Sequence, residues 1–480
     1  MEDQVHTNTN RPKRPHAIFI AYPLQGHVIP SVHLAIKLAS HGFKITFINT
    51  HFIQHHTSKA QPKSAGNPFA YLHESGLDID YTTVSDGLPV EFDRSLNHDQ
   101  FMASLLHVFS AHVEEVVGKA VKSSADTTPV TCIIADTFFV WPSKIARKFG
   151  IIYVSFWTEP ALVFSLYYHL DLLRMHGHFA CQDVREDTID YIPGVRAIDP
   201  KDMMSYLQDT DTTSVCHQII FNAFKDARGA HFHLCNTVQE IESETISALQ
   251  AKMKFYAIGP IFPTTFSKNI AATSLWSESD CTQWLNTKPH GSVLYVSFGS
   301  YAHVAKKDLI EITNGLKLSK VNFVWVLRPD IVSSNDTDPL PSGFRDDVKD
   351  RSIVIPWCSQ KAVLAHPAIG GFLSHCGWNS TLESIWCGVP LLCFPLLTDQ
   401  FTNRKLIVDD WKVGINLCNR RVVSKEEVSE KINRLMDGKS GNEYRRAVVK
   451  VKNTLEDALT PNGSSEKNMD NFIKDLKAKM

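Results

Sequence analysis

The 480-residue chain contains no run of apolar residues that approaches the about 18 needed to cross a membrane as a helix. Its first fifteen residues are polar and lack the apolar core of a secretory signal, and the apolar run from Ala17 to Tyr22 is too short to supply one. The formal net charge is only -2, from 49 basic and 51 acidic residues, so no overall field favours nucleic acid or an anionic membrane. We therefore expect a cytoplasmic protein that acts on a small molecule, without a nucleic-acid partner and without stable membrane insertion.

Two further signatures are missing. The ten cysteines include no CxxC pair and are too dispersed for the disulfide framework of a small secreted domain, which predicts reduced thiols. No GxGxxG motif follows any predicted strand, which argues against a nicotinamide dehydrogenase. The candidate chemistry therefore has to come from other motifs.

Strand and helix patterns alternate along two separate stretches of the chain. A buried strand pattern at Ala17 to Tyr22 precedes helical spacing from Val28 to Leu38 and a second strand at Phe43 to Ile48, and such a unit implies a parallel sheet. The hydrophobic content is 43%, and single cores stop growing near ~250–300 residues, so we predict two doubly wound α/β domains. Further strands are predicted at Thr131–Ala135, Ile151–Ser155, Ser292–Phe298, Asn322–Leu327, Ile353–Ile355, Ile369–Leu373 and Leu391–Phe394, and helices at Phe138–Lys148, Glu240–Lys252 and Lys307–Leu316.

Breaks in this alternation set the predicted domain boundaries. Residues 1–15 are predicted to be a disordered tail, residues 16–258 a first domain and residues 276–458 a second domain. Gly259, Pro260 and Pro263 disfavour a helix and indicate a linker over residues 259–275. Residues 459–480 are predicted to form a C-terminal helix that packs back on the first domain.

Ligands of doubly wound sheets bind beyond the carboxyl ends of the strands, so residues just after strands matter most. Three such places are GH at 26–27, GS at 299–300 and SHCGWNS at 374–380. The third leads from a strand directly into helical residues, and a helix start offers free backbone N–H groups and a positive dipole end that bind phosphate. The alternative is an ordinary helix start that is capped by one of its own side chains.

The wider segment from Trp357 to Gln400 reads WCSQKAVLAHPAIGGFLSHCGWNSTLESIWCGVPLLCFPLLTDQ. Over these 44 residues it resembles the nucleotide-sugar signature box of plant family-1 UDP-glycosyltransferases. The resemblance extends to GHVIP near the start, to the strand that ends at Asp136, to YAIGP and to YVSFGS, and so covers nearly the whole chain. The segments RSLNHDQF, FWTEPAL, DPKDMMSYL and LLTDQFTNRKL resemble the group K branch of that family. The matching box residues are Trp357, Gln360, His366, Pro367, Gly370, the HCGWNS run, Glu383, Gly388, Pro390, Pro395, Asp399 and Gln400.

This resemblance implies a GT-B fold, in which two Rossmann-like domains face each other across a cleft and the second binds the UDP-sugar. It implies that Trp357 stacks its flat indole on the uracil. It also implies that Gln360 faces the ribose and that the Glu383 carboxylate accepts hydrogen bonds from both ribose hydroxyls. The residues that it implies for binding the two phosphates are His375, Asn379, Ser380 and Ser300. Those implied for the sugar are Trp378, Asp399, Gln400 and Thr158. Cys358 and Gly377 complete the predicted set of UDP-sugar-binding residues.

The same resemblance assigns catalysis to His27 and Asp136. A histidine is a usual general base near neutral pH, and an aspartate can hold its imidazole and stabilise the protonated form. The alternative for Asp136 is a cap of the following helix. The implied reaction is one in-line displacement that inverts an α-linked donor to a β-glycoside, with UDP as the leaving group. Because fixed donors would meet the diphosphate charge, no metal or other cofactor is expected, although DxD triplets occur at Asp78–Asp80, Asp209–Asp211 and Asp336–Asp338.

The resemblance also bears on donor and acceptor. Glutamine at the end of the box goes with glucose in the family, and histidine with galactose, so Gln400 predicts UDP-glucose as the co-substrate. The acceptor is expected to be a small apolar metabolite with a hydroxyl group, such as a terpenoid, flavonoid or other phenolic, and the enzyme to be a monomer. Two alternatives stay open: a non-catalytic UDP-sugar-binding protein, and an enzyme that uses another UDP-sugar. The predicted acceptor pocket is Phe138, Phe139, Trp141, Trp157 and Phe401, against the alternative that such aromatic residues pack in the core.

Overall fold

The computed structural model describes residues 14–72, 75–124, 128–181, 185–263, 271–332, 339–418 and 422–480. Its strands are β1 (His16–Ile20), β2 (Lys44–Thr50), β3 (Ile79–Val84), β4 (Cys132–Asp136), β5 (Ile152–Trp157), β6 (Phe232–Cys235), β7 (Phe255–Ala257), β8 (Val293–Ser297), β9 (Asn322–Val326), β10 (Ser352–Ile355), β11 (Ile369–Ser374), β12 (Leu391–Cys393) and β13 (Gly414–Asn416). One parallel sheet has the order β3-β2-β1-β4-β5-β6-β7, and a second has the order β10-β9-β8-β11-β12-β13. The predicted α/β architecture with two doubly wound parallel sheets is confirmed.

Helices connect most of these strands. They are α1 (Gln25–Ser40), α2 (His51–Ala60), α3 (His98–Ser104), α4 (Ser110–Ser124), α5 (Pro142–Phe149), α6 (Ala161–Tyr168), α7 (Leu170–Met175), α8 (Ser205–Gln208), α9 (Val215–Ala227), α10 (Ser243–Gln250), α11 (Thr282–Leu285), α12 (Lys306–Ser319), α13 (Phe344–Val348), α14 (Gln360–Leu364), α15 (Trp378–Trp386), α16 (Gln400–Lys405), α17 (Lys425–Met436), α18 (Gly441–Ala458) and α19 (Ser464–Lys479). None of the described helices combines the length and apolar character needed to cross a membrane.

The first strand shows why this alternation arises. All five residues of β1 are buried, because the strand lies inside the sheet and pairs with β2 on one side and β4 on the other. The helix α1 then covers the sheet with the apolar face predicted from its spacing, including Val28, Val32 and Leu38. Gly42 follows the helix with a φ of 86°, a left-handed conformation that glycine adopts without steric cost, and so lets the chain turn into β2.

The strand orders fix where ligands can bind. In the first sheet the order reverses between β1 and β4, and in the second it reverses between β8 and β11. At such a switch point the loops diverge to opposite sides and leave a crevice beyond the carboxyl ends of the strands. His27 follows β1 and Asp136 ends β4, whereas Ser300 follows β8 and His375 follows β11. The fold therefore brings the predicted catalytic and phosphate-binding residues to the two switch points.

Some predicted element boundaries are wrong. The helix expected at Phe138 begins only at Pro142, because residues 137–141 form a turn in which the Asp136 carboxylate accepts the backbone N–H of Phe138 at 2.9 Å. The helix expected from Glu240 is shorter and spans Ser243–Gln250. Gly26 and His27, expected between the first strand and the helical spacing that begins at Val28, instead lie in the first turn of α1, so helical geometry fixes the direction of the His27 side chain.

The last helix returns to the first sheet. Met469, Phe472 and Leu476 of α19 are fully buried in the core that contains Phe232 and Tyr256. The Tyr256 hydroxyl donates to Asp475 at 2.6 Å, and Lys37 of α1 forms an ion pair with Glu466 at 2.5 Å. The chain end thus stabilises the first unit, while the exact domain boundaries stay a prediction. The predicted tail falls outside the described residues except for residues 14 and 15, as do residues 264–270 of the predicted linker and the triplet Asp336–Asp338.

Candidate active site

One cleft lies between the two sheets, beyond both switch points. His27 lines it, and so does every residue predicted to bind the UDP-sugar, from either side of the cleft. Asp136 stands directly behind His27 and is almost fully buried. The predicted UDP-sugar residues on the wall are Thr158, Ser300, Trp357, Cys358, Gln360, His375, Gly377, Trp378, Asn379, Ser380, Glu383, Asp399 and Gln400.

The His27 imidazole is held through one of its nitrogens. Its Nδ1 lies 2.7 Å from Asp136 Oδ2 and 2.9 Å from Thr158 Oγ1. Because a carboxylate only accepts hydrogen bonds, Nδ1 carries the proton in this tautomer and Nε2 keeps a free lone pair. The rings of Tyr22 and Phe138 pack beside the imidazole at centroid distances of 5.4 and 5.7 Å. The arrangement can therefore accept a proton at Nε2 and stabilise the resulting imidazolium through Asp136.

The second switch point presents a helix start. The first hydrogen bond within α15 runs from the N–H of Thr381 to the carbonyl of Gly377 at 2.9 Å, which leaves the N–H groups of residues 378–380 without a helical acceptor. Cys376 has a φ of 67°, an uncommon left-handed conformation, and the Asn403 amide donates to its carbonyl at 2.9 Å. The backbone is thus bent so that N–H groups and the positive helix end face the cleft, as anion binding requires.

His375 lies at the centre of this turn. A Cβ atom added to Gly299 or to Gly377 would come within 2.5 Å of its Nε2, so only glycine fits against the ring at both positions. Burial, together with the nearby Arg328 charge, lowers the pKa of His375 to about 4. Arg328 in turn donates to the carbonyl groups of Gly299 and Ala302 and fixes the loop that carries Ser300. The imidazole is therefore neutral at pH 7 and can offer one N–H to an anion.

A polar cluster occupies the far end of the cleft. Gln360 donates through Nε2 to Glu383 Oε2 at 2.8 Å and to Ser380 Oγ at 3.0 Å. Burial raises the pKa of Glu383, whereas the Lys361 ammonium and the Gln360 hydrogen bond act to lower it. Trp357 is half-buried on the same wall, with its ring 6.5 Å from that of Trp276. The cluster combines a flat aromatic surface with a carboxylate, which suits a nucleoside.

Asp399 and Gln400 are the last two residues of the segment from Trp357 to Gln400, and Asp399 lies close enough to His27 for an electrostatic interaction. Burial raises the pKa of Asp399, and hydrogen bonds from Thr398 Oγ1 at 2.8 Å and from Asn403 Nδ2 at 2.5 Å act against that shift. The amide oxygen of Gln400 accepts the N–H groups of Leu396 and Leu397 at 2.9 and 3.1 Å. These contacts fix both side chains, so that the Gln400 NH2 group is the donor left for a ligand.

Two side chains of the predicted UDP-sugar set already have partners within the protein. The Trp378 indole N–H donates to the carbonyl of Asn236 at 2.7 Å, and the Asn379 amide donates to the carbonyl of Gly26 at 2.8 Å. Both bonds join the second sheet unit to the first. Of the N–H groups that Trp378 could present to a sugar, only the one in its backbone remains free of these contacts.

Of the five residues of the predicted acceptor pocket, only Phe138 lines the cleft. Phe138 lines the cleft, whereas Phe139 and Trp141 turn away into a core and pack against each other at 4.7 Å between ring centroids. Trp157 lies in another core and donates its indole N–H to the carbonyl of Pro160 at 2.8 Å. Phe401 is half-buried in α16 and is not part of the cleft wall. The expectation of an aromatic wall is therefore wrong for these four residues, which support the fold.

Other residues take their place, and sequence reasoning missed them. Met102, Tyr206 and Ile219 line the cleft from three separate elements, as do His98 and Tyr301. The His98 ring is hydrogen-bonded to the Tyr301 hydroxyl, and its other nitrogen lies 3.3 Å from the Tyr206 hydroxyl. These residues are distant in sequence and belong to no common motif, so only the folded chain shows that they share a wall.

Comparison with known proteins agrees with this geometry. The family model described as UDP-glucoronosyl and UDP-glucosyl transferase matches residues 39–458. The chain belongs to this family. UDP-glycosyltransferase 86A2 and UDP-glycosyltransferase 86A1 of Arabidopsis thaliana are 62% and 59% identical to it, and each alignment covers 97% of this chain and 95% of the relative. The structure of Phytolacca americana UGT2 complexed with UDP-2-fluoro-glucose and pterostilbene is 27% identical, with a TM-score of 0.79 over 98% of this chain and 100% of that one.

The chain is thus a plant-type UDP-glycosyltransferase with the GT-B fold. The predicted family and the assignment as an enzyme are confirmed, and the alternative of a protein that only binds the nucleotide sugar is set aside. The cleft between the two sheets lies where doubly wound sheets bind their ligands, beyond the carboxyl ends of the strands. What the UDP-glycosyltransferase transfers, and to what, depends on the walls described above.

Proposed function

We propose that this UDP-glycosyltransferase transfers glucose from UDP-glucose to a hydroxyl group of a small apolar metabolite, such as a terpenoid, a flavonoid or another phenolic. The product is a β-O-glucoside, and the reaction needs no metal. The observation that carries the proposal is the hydrogen bond between His27 and Asp136 at the switch point of the first sheet, across the cleft from the helix start at Gly377. A general base and an anion site then lie on opposite walls.

The reaction is one displacement at the anomeric carbon. His27 Nε2 takes the proton of the acceptor hydroxyl while its oxygen forms a bond to that carbon. The bond from the carbon to the diphosphate oxygen breaks, and UDP leaves with the electron pair. Attack from the face opposite UDP converts the α-linked sugar to a β-glucoside. Asp136 stabilises the imidazolium that forms, through the hydrogen bond at Nδ1.

The second sheet unit holds the leaving group. Trp357 stacks on the uracil, with Cys358 beside it, and Gln360 and Glu383 bind the ribose hydroxyls. The phosphates lie at the start of α15, where the backbone N–H groups and the neutral His375 donate to them and oppose the growing negative charge. The phosphate set is Ser300, His375, Gly377, Asn379 and Ser380, and the sugar set is Thr158, Trp378, Asp399 and Gln400.

One wall of the cleft supports glucose as the transferred sugar, and the other supports an apolar acceptor. Gln400 stands where the family pairs glutamine with glucose. Phe138, Met102 and Ile219 give the acceptor side an apolar surface. The related Phytolacca americana structure holds UDP-2-fluoro-glucose together with pterostilbene. We further propose that the enzyme acts in the cytoplasm and as a monomer, since both walls of the cleft are formed by one chain.

Metal-free catalysis is supported by the surroundings of the DxD triplets. Asp78 forms an ion pair with Arg14, and Asp80 one with Lys44, on an edge of the first sheet. Asp209 and Asp211 lie in an exposed turn, where Asp211 accepts from Thr213. Neither pair lines the cleft. The diphosphate would be stabilised by the donors of α15 instead.

The test is a turnover screen. Purified enzyme is incubated with UDP-glucose and a panel of terpenoid and phenolic alcohols, UDP release is measured, and the anomeric configuration of each product is read by proton NMR. We expect release of UDP with β-glucosides as products, undiminished in excess EDTA. Faster turnover of UDP-galactose or UDP-rhamnose than of UDP-glucose contradicts the donor, α-products contradict the mechanism, and loss of activity in EDTA contradicts metal independence.

A further inference from the structure

A second buried carboxyl group lies on the cleft wall next to the proposed catalytic residues. Glu159 follows Thr158, whose hydroxyl contacts the His27 imidazole. The residue lines the cleft and is only 8% exposed. Its Oε2 is buried and has no hydrogen-bond partner among the residues that the structure describes. A buried polar atom without a partner is costly, so its presence calls for an explanation.

A structural role for Glu159 is already filled by another residue. Glu159 stands just before α6, where a carboxylate could accept the free N–H groups of the helix start. Those groups donate to Glu242 instead, from Ala161 at 3.0 Å and from Leu162 at 2.8 Å, and Glu242 also accepts the hydroxyl of Thr237. Both glutamates are buried, but only Glu242 stabilises the fold through its carboxylate. The side chain of Glu159 remains available to a ligand.

The neighbourhood determines which form of Glu159 is present. Burial raises its pKa well above the usual range, and the negative charges of Asp399 and Asp136 add to this effect. Asp399 accepts hydrogen bonds from Thr398 and Asn403, and Asp136 accepts them from His27 and from the N–H of Phe138. The bonds to Asp399 oppose the rise in its pKa that burial causes, whereas the carboxyl group of Glu159 receives none. Where several carboxyl groups share one region, the proton is held by the group with the least stabilised charge.

A protonated carboxyl group has an O–H donor that needs an oxygen or nitrogen acceptor. We propose that Glu159 donates this hydrogen bond to a second oxygen of the sugar acceptor, distinct from the hydroxyl that reacts, and thereby selects acceptors that carry such an oxygen. The inference rests on the proposed function and deepens it. The acceptor side is favoured because Glu159 belongs to the same wall as Phe138, Tyr167 and Tyr206 of the first sheet unit.

The substrates for the test are matched pairs of phenols in which an ether oxygen is replaced by a methylene group, for example 6-methoxy-2-naphthol and 6-ethyl-2-naphthol. Values of kcat/KM are measured with UDP-glucose for both members of each pair. The enzymes are wild type, Glu159→Gln and Glu159→Leu, and the control is Glu244→Leu, which removes an exposed carboxylate paired with Arg196. Glutamine keeps a donor of similar shape, and leucine keeps only the volume.

We expect wild type to prefer the oxygen-bearing member of at least one pair by about tenfold, as one well-placed hydrogen bond allows. Glu159→Gln is expected to keep that ratio within about threefold, and Glu159→Leu to bring it to about one, while Glu244→Leu keeps the wild-type ratio. The Tm of Glu159→Leu should equal or exceed that of wild type, because the substitution removes an unpartnered buried group. A ratio that survives in Glu159→Leu, or a sharp fall in its Tm, overturns the proposal.

Two other outcomes also overturn the proposal that Glu159 donates a hydrogen bond to the acceptor. If wild type shows no preference within any pair, Glu159 does not read the acceptor. If Glu159→Leu instead raises the KM for UDP-glucose equally with both members of a pair, the carboxyl group serves the donor sugar. Failure of the proposed function is distinguishable, because wild type would then transfer glucose to no member of any pair.

Discussion

The imidazole of His27 and the carboxylate of Asp136 are separated by 109 positions in the sequence and by 2.7 Å in the cleft. Two neighbouring parallel strands, β1 and β4, bring them together, because His27 follows one strand and Asp136 ends the other. The contact fixes the imidazole tautomer before any substrate arrives. The catalytic role that we propose for this pair therefore depends on strand pairing as well as on the two side chains.

Replacing His27 with alanine is expected to abolish transfer while UDP binding remains. The substitution removes the proposed general base, whose contribution is worth about 10²–10⁴ in rate, and leaves the walls formed by the second sheet unit intact. Steady-state kcat with a phenolic acceptor and the UDP Kd from calorimetry check both expectations. His290→Ala, at an exposed position, serves as the control. Transfer at a near wild-type rate by His27→Ala would show that another group takes the proton.

Replacing Asp136 with asparagine should lower kcat without weakening UDP binding. The amide oxygen can still accept a hydrogen bond from Nδ1, but it carries no charge to stabilise the imidazolium, and its NH2 group favours the wrong tautomer. We expect a loss of about 10²–10⁴ in kcat. The matched control is Asp209→Asn, an exposed member of a DxD triplet, for which activity within twofold of wild type is expected. Equal losses for both variants would contradict the role of Asp136 and point to a metal at the triplet.

Buried histidines should make the protein sensitive to mild acid. Burial lowers the pKa of His233 and of His375 to about 4, and that of His33 to about 3. In the unfolded chain these groups titrate near 6.5, so between pH 6.5 and about 4 the unfolded state binds more protons and the free energy of unfolding falls as the pH falls. His233 alone can contribute a loss on the order of 3 kcal/mol across this window.

His233 allows a clean measurement because it lies in β6, away from the cleft. Urea unfolding of wild type and of His233→Gln is compared at pH 7.0, 6.0 and 5.0. The variant should lose less stability on acidification, with a slope smaller by up to about 1.4 kcal/mol per pH unit. His290→Gln, an exposed histidine, should leave the slope unchanged. Identical slopes for wild type and His233→Gln would mean that His233 is already protonated in the folded protein.

The nucleotide half of the site could be predicted from the sequence because its chemistry is local. Residues 374–380 carry a strand end, a turn and a helix start in one continuous run, which fits an anion site or an ordinary capped helix start, and the family resemblance of the wider segment favours the anion site. The acceptor wall has no such run. Phe138, Phe139 and Trp141 look alike in sequence, and only the turn after Asp136 decides that the first faces the cleft and the other two face a core.

The lack of a local sequence pattern also explains why other residues of the cleft wall were not predicted. Met102 and Tyr206 come from elements about 100 residues apart, and each would be an ordinary core residue on its own pattern. Side-chain contacts also escape sequence reasoning, as the Trp378 indole shows by donating to Asn236 rather than to a ligand. Fold class and the alternation of strands and helices follow from periodic patterns, whereas the choice between wall and core depends on the direction of individual side chains in three dimensions.

The selection of glucose should change when Gln400 is replaced by histidine. The Gln400 amide oxygen accepts the N–H groups of Leu396 and Leu397, so the amide is fixed and its NH2 group is the donor that we expect to face the sugar. An imidazole can accept only one of these N–H groups, and its remaining N–H would lie elsewhere. Because glucose and galactose differ only in the direction of the C4 hydroxyl, a displaced donor should favour the other epimer.

We expect the ratio of kcat/KM for UDP-glucose to that for UDP-galactose to fall about tenfold in Gln400→His, a change of about 1.4 kcal/mol in relative transition-state binding. The matched variant is Gln400→Asn, which keeps the amide but is too short to reach both its backbone partners and the sugar. That variant should lower kcat/KM for both donors to a similar extent. A ratio that stays at the wild-type value in Gln400→His would show that the sugar is selected by other residues of the wall, with Asp399 as the next to test.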